Sequence, residues 1–269
     1  MLIRLPVASL VLLLSMGGVI ATASAAEEAV KESPQPPAQH RHGRGPKMLE
    51  MGIPDGSTVT VWQPDLVIRK VDAQHGHVVI PKSGMDNYHA VVAEKDSGKV
   101  KQAVIRYEYQ RGKPSGHSTT ELTAVQKTDF EIVPDPVPRE HRDYQSGETW
   151  SFILRFQGDP VANIPVSLKT VHGNIVSGTS DKSGQVALHI PDDFPNVQEG
   201  ERDERSAAFD VTAEYETAGI TYRTRLNSEY RVNPAHWKSL MLGMLVAGFG
   251  MVAGGFIGRA GLTKKKVRS

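Results

Sequence analysis

The sequence predicts a mainly β protein with two β-sandwich domains, a cleaved signal peptide before them and one C-terminal transmembrane helix after them. Three observations predict this. Apolar and polar residues alternate at a period of two through the middle of the chain. These short runs recur between clusters of Gly, Pro, Asp and Asn. Two long uncharged apolar runs stand near the ends, at 5–21 and 239–258.

Residues 1–25 read as a signal peptide: one early charge at Arg4, an apolar centre, then Ala23-Ser24-Ala25, with cleavage expected after Ala25. Residues 26–55 read as a disordered arm, with Pro34, Pro36, Pro37 and Pro46, several charges and no apolar periodicity. Strands are expected at 58–62, 66–71, 77–80, 88–93, 100–109, 119–125 and 130–133, which make an N-terminal β-domain over 56–133. Pro134, Pro136 and Pro138 alternate, and each removes a backbone donor, so 134–148 is expected to be an extended interdomain loop. It carries Arg139, Glu140, His141 and Arg142, a charged group expected to hold the two domains at a fixed angle or to meet a partner.

A second sandwich is expected over 149–235, with strands at 149–156, 165–171, 175–178, 185–190, 208–215 and 220–232. Trp150, Phe152, Leu154 and Phe156 share one face, and Phe209, Val211, Ala213 and Tyr215 share another, with polar residues between them.

A transmembrane helix is expected over 237–260, because an uncharged run of 20 residues is long enough to cross a bilayer core. Trp237 and Lys238 mark one interface, and the basic tail 261–269 lies beyond the other. That asymmetry places the tail in the cytoplasm and the body in the periplasm, anchored to the inner membrane of a Gram-negative cell. Gly243, Ala247, Gly250, Gly254 and Gly258 fall four apart or nearly so along one helix face, a pattern for self-association or docking on a membrane-protein partner.

Composition excludes several functions. With 31 Lys+Arg against 30 Asp+Glu, the chain has no bulk field for nucleic acid. With no Cys, it has no disulfide, thiolate metal site or thiol nucleophile. It contains no G-x-S-x-G, H-E-x-x-H or phosphate-loop motif, so binding is expected rather than catalysis. Histidine supplies the candidate metal chemistry: His40 and His42 in the arm, then His75, His77 and His89, with Met48 and Met51 nearby. Imidazole with thioether or carboxylate suits nickel, cobalt or copper.

Two stretches of the second half carry a family likeness. Gly158-Asp159-Pro160-Val161 leading to Val166 and Leu168, followed by Thr179, Gly184, Val186 and Leu188, resembles the carboxypeptidase-regulatory-like (prealbumin-like) β-sandwich. Asp181 to Gly184 is expected to form a tight hairpin turn there. Phe130-Glu131-Ile132-Val133-Pro134, with Pro138 and then Gly147, resembles the junction of the DUF4198 family of secreted proteins. The resemblance implies Ig-like/prealbumin-like domains and, from some members, an auxiliary role in nickel or cobalt uptake. The alternative expectation is a structural subunit that docks other envelope proteins.

Overall fold

Period-two alternation becomes strand almost wherever it occurs. The computed structural model describes residues 46–74, 76–138 and 143–238. Within them the chain runs β1 (Lys47–Glu50), β2 (Thr58–Trp62), β3 (Ile68–Val71), β4 (Ala73–Gln74), β5 (His77–Ile80), β6 (Met85–Asp96), β7 (Val100–Gln110) and β8 (Lys113–Pro114). Helix α1 (Thr119–Ala124) follows, then β9 (Phe130–Pro134), β10 (Tyr144–Gln145), β11 (Thr149–Phe156), β12 (Asp159–Pro160), β13 (Pro165–Thr170) and β14 (Ile175–Thr179). The last elements are β15 (Gln185–His189), β16 (Ser206–Thr217), β17 (Ile220–Arg231) and α2 (Pro234–Trp237).

The C-terminal half is an Ig-like sandwich. One layer is β9–β11–β15, and the layer against it is β14–β13–β16–β17. In sequence order these strands hold the A, B, C, C′, E, F and G places of that fold. The core between the layers comes from the expected alternation: Phe152 and Leu154, Val166 and Leu168, Val186 and Leu188, Phe209 and Val211 are all buried. Burying each such side chain contributes about 1.5–3 kcal/mol. Trp150, Phe156 and Tyr215 are half-buried at the margins of the same core.

The sheet does not stop at β17. Its outer edge accepts β7 in parallel register, from Thr221↔Val100 to Leu226↔Ile105. β7 pairs with β6, β6 with β2, and β2 with β3, giving the order β14-β13-β16-β17-β7-β6-β2-β3. β6 and β7 are therefore buried on both faces. Ala90, Val92 and Ile105 enter the large core. Val91, Ala93 and Val104 enter a second core with Leu49, Met51, Val78 and Ile80, under the small sheet β1–β5–β4. The near-continuous apolar run 90–93 reflects this double burial.

Three expectations need correction. The arm does not extend to residue 55: Leu49, Met51 and Ile53 are buried, and Lys47–Glu50 pairs with β5. Their alternation is hidden in sequence between Pro46, Gly52 and Pro54. Residues 119–125 are not a strand. Ser118 and Glu121 form a reciprocal capping box, which satisfies donors at the start of α1, and Leu122 anchors it. The prolines at 134–138 do not divide the chain into independent cores, since residues from both sides share one sheet and one core. Pro134 instead closes β9, an edge strand paired only with β11, where the missing donor costs no ladder bond. Residues 1–45 and 239–269, with the expected signal peptide and transmembrane helix, lie outside the described residues. Among the described residues no helix is long and apolar enough to cross a membrane.

The expected tight turn at Asp181 is present, but it does not close a hairpin: β14 and β15 belong to opposite layers, so the chain crosses between sheets there. The Asp181 carboxylate accepts from the backbone of Ser183 and Gln185 at 2.8 and 2.9 Å. Gly184 turns the chain at φ +74°, and a Cβ there would sit 2.6 Å from the Leu154 carbonyl oxygen. Gly184→Ala is expected to cost more than about 1 kcal/mol in urea denaturation, because both conformation and space oppose it. An unchanged midpoint would count against this account of the turn.

Candidate functional site

The sequence-predicted residues do not assemble into one site. His40, His42 and His75 lie outside the described residues, as do Arg139, Glu140, His141, Arg142 and the glycine stripe from Gly243 to Gly258. His77 opens β5 opposite Glu50. His89 is buried, with Nδ1 against the Asn87 carbonyl at 3.0 Å and Nε2 against Ser83 Oγ at 2.6 Å. Both ring nitrogens are engaged, which removes His89 from a metal-ligand set. Met51 is fully buried and Met48 exposed, so the two do not converge. Among the described residues no three His, Asp or Glu side chains are placed to hold a metal.

The structure puts a different feature forward, at the seam where β7 joins β17. The face turned away from the large core carries Arg106 and Glu108 on β7, and Asn227 and Glu229 on β17. Arg106 donates to Glu108 at 3.3 Å, to Asn227 Oδ1 at 2.8 Å and to Glu229 at 2.6 Å. Lys47 of β1 pairs with the other oxygen of Glu108. Asn227 donates to Asp210 at 2.8 Å, and Arg225 reaches back to the Met51 carbonyl at 2.6 Å. These bonds tie β1, β7, β16 and β17 together. Arg106 and Glu108 are nearly buried, so their mutual satisfaction decides whether burial is tolerated.

A cleft of about 170 Å³ opens over this seam, lined among others by Tyr88, Glu108, Tyr109, Pro138 and Arg231. A second, of about 580 Å³, lies beside it between α1 and the proline segment. Tyr88, Tyr109, Pro134 and Pro138 line both. The Tyr88 hydroxyl donates to the Pro138 carbonyl, and Tyr109 donates to Asp86 at 2.8 Å. Burial, then the nearby charges of Asp143 and Glu108, push the Tyr88 phenol well above its ordinary range, so it remains a donor. The two rings meet edge to face at 5.3 Å. Ring faces and proline rings thus line the shared wall, with polar groups along the floor.

The α1 wall is fixed from behind. Lys127 donates to the Leu122 and Val125 carbonyls at 2.6 and 2.7 Å, at the end of α1. Burial lowers its pKa to about 8. Buried Glu131 accepts from Arg155 at 2.7 Å, and Arg155 also donates to the Thr123 carbonyl at 2.7 Å. Desolvation raises the Glu131 carboxyl, opposed by those two cations. Neither this cluster nor the Ser83–His89 contact lines either cleft, so they position the fold and present no nucleophile to a ligand. Sequence reasoning missed the seam. The only local signal was Tyr107 and Tyr109 alternating with Arg106 and Glu108, which also reads as an ordinary exposed face.

Arg106→Met is expected to cost about 3 kcal/mol, because it strands buried carboxylate and amide partners. Amide exchange should quicken along 221–226, where β17 meets β7, more than along β13; uniform exchange would argue against a seam role. Burial lowers the pKa of His89, against the opposing pull of the Asn87 carbonyl. The unfolded chain therefore takes up this proton at a higher pH than the folded one, and stability falls as pH drops below about 6.5. Glu94 and Glu131, raised by burial, act in the opposite sense, so the comparison with His89→Gln isolates the ring. The variant should show a flatter fall in thermal midpoint between about pH 7 and 5. An identical slope would exclude His89 as the cause.

No protein-family model matches the chain, and no curated protein matches it. Among solved structures, 12 chains match. One is from a study of host cell surface retention of a 1.5-MDa bacterial ice-binding adhesin: 16% identity, 66% of this chain, 53% of that chain, TM-score 0.26. Another is a Ca2+-stabilized adhesin that helps an Antarctic bacterium bind ice: 17% identity, 70% of this chain, 42% of that chain, TM-score 0.27. A third is the D00–D0 domain of Intimin: 15% identity, 68% of this chain, 84% of that chain, TM-score 0.20. The chain spans about half the length of the first two. At these scores the likeness carries no argument, and the Ig-like assignment rests on the strand order above.

Proposed function

We propose that the protein is a membrane-tethered docking protein of the bacterial envelope, which binds an extended segment of a partner protein without catalysing a reaction. The observation that carries this reading is the pair of adjoining clefts with a common wall of Tyr88, Tyr109, Pro134 and Pro138. Aromatic and proline faces bury apolar area while losing little side-chain freedom, and the polar floor supplies hydrogen bonds that fix register. The apolar run at 239–258 and the basic residues after it support a single tether in the inner membrane, with the body in the periplasm and the tail in the cytoplasm. β7 and β17 run parallel, so Tyr109 near the end of β7 and Arg231 at the end of β17 lie toward the same end of the sheet as the C-terminal exit. The partner is therefore reached near the lipid surface, which fits a membrane protein. The glycine face of the tether supports helix pairing with that partner or with a second copy. The described histidines lend no support to nickel or cobalt uptake.

A photo-activated crosslinking residue at Thr120 or His117, in the second cleft, tests this in intact cells. Both positions should yield one discrete adduct with an envelope protein, lost in Tyr109→Ala while the far-ultraviolet spectrum is unchanged. No adduct, or the same adduct from Ala218 in the β16–β17 turn at the opposite end of the sheet, refutes the docking reading.

A further inference from the structure

The end of the body from which the C-terminal run departs is tightly organised. Asn233 caps α2 and is itself held by Ser146: its backbone N–H donates to Ser146 Oγ at 3.2 Å, and its side chain to the Ser146 carbonyl at 3.0 Å. His236 sits 3.1 Å from Asp192. The Trp237 carbonyl accepts from the Gly200 N–H at 2.7 Å. Two loops, the β10–β11 turn at Ser146 and the β15–β16 connection at Asp192 and Gly200, thus hold α2, and the apolar run begins at Ser239, with only Lys238 between. One residue spans at most about 3.5 Å. A run that crosses the bilayer from there leaves this end of the body no room to stand off from the lipid.

The same end carries the turn between β13 and β14. Asp193 accepts from Thr170 at 2.7 Å and from Asn174 at 3.0 Å, on either side of the turn. Its neighbour Asp192 holds His236, so one loop links the turn to α2. The His172 ring packs on Phe194 at 5.4 Å, and Arg205 lies over the same ring at 5.9 Å. Beside His172, Val171 is 67% exposed, and Ile175 is 62% exposed. Two bulky aliphatic side chains stand free in a turn that is otherwise pinned by hydrogen bonds. In the neighbouring segment 199–205, Arg202 pairs with Glu204 and Arg205 with Asp203, while Glu199 and Glu201 add two further acids. The rim therefore presents apolar tips at Val171 and Ile175, a half-buried aromatic at Trp237 and a cation at Lys238, beside a segment, 199–205, with four acids against two arginines. Apolar tips with an aromatic and a cation suit the boundary between headgroups and acyl chains.

We propose that Val171 and Ile175 seat in the interfacial layer of the bilayer that holds the chain's own apolar run, so that the body is fixed on the membrane at a second point. This rests on the membrane tether of the proposed function. Continuity of the chain names the occupant: lipid is the surface that α2 places next to the turn. Two points of attachment stop the body rotating about its exit and hold the clefts at a set height and bearing.

The absence of Cys makes the test direct. Single cysteines at Val171, Ile175 and Ser183 of the full chain carry an environment-sensitive fluorophore, and the protein is reconstituted into phosphatidylcholine–phosphatidylglycerol vesicles. Ser183 lies beyond the opposite end of β14 and serves as the aqueous reference. The proposal expects blue-shifted emission at 171 and 175, several-fold stronger quenching there by nitroxide-headgroup lipid, and neither effect at 183. If the chain floats with vesicles while all three probes stay equally water-exposed, the second contact is refuted and the tether stands. If the chain does not float, the tether fails and takes the inference with it.

Discussion

The fold depends on one strand pairing, β7 laid in parallel along β17. An Ig-like sandwich ends at its G strand, and a bare edge there would offer a row of unpaired backbone groups. Here β7 occupies it from Thr221↔Val100 to Leu226↔Ile105. The pairing brings Arg106 and Glu108 beside Asn227 and Glu229, where each charged group has a partner. Lys47 and the Arg225–Met51 contact then draw in the segment before β2. Ion pairs of this kind gain little over an apolar core, but they punish any other register by stranding a charge. Their contribution is best understood as specificity of pairing.

From that pairing follow the two cores and the clefts. Once β6 and β7 join the sandwich sheet, one of their faces must complete the large core and the other needs a cover. The small sheet β1–β5–β4 supplies the cover, and α1 with the proline segment closes the far side. The clefts are the space left where these pieces meet. Their tyrosines are held by Pro138 and Asp86, and their α1 wall by Lys127 and Arg155, so the shape is set before any ligand arrives. Preformed shape reduces the ordering cost of binding.

The C-terminal exit adds a geometric constraint of another kind. A flexible stalk would leave the body free to turn about whatever follows residue 238. Contacts from Ser146, Asp192 and Gly200 onto residues 233–237 hold the exit against the sandwich instead. With the clefts toward the same end, the proposed docking surface and the proposed tether share one region of the molecule.

The sequence by itself determined the strands and the facing of their side chains. Alternation in 149–156 and 206–217 is a local property, and it survives folding because each strand has one wet and one dry face. It also determined the Asp181 turn, where the turn residues act on their own backbone, though not that the strands beside it join opposite layers. Local patterning misleads where a short signal has two readings: Thr-rich 119–125 resembles a strand until the Ser118–Glu121 cap is weighed, and Leu49, Met51 and Ile53 hide among prolines. Spacing alone cannot judge a histidine as a metal ligand, since only burial showed that both His89 nitrogens are engaged. Only the tertiary structure decided the seam, its clefts and the sharing of one sheet by the two halves. Arg106 and Asn227 lie 121 residues apart, and their meeting depends on which edges pair and in which direction. Side-chain alternation records which face of a strand is dry, but carries no record of the neighbour on its edge, because backbone hydrogen bonds are the same for every sequence.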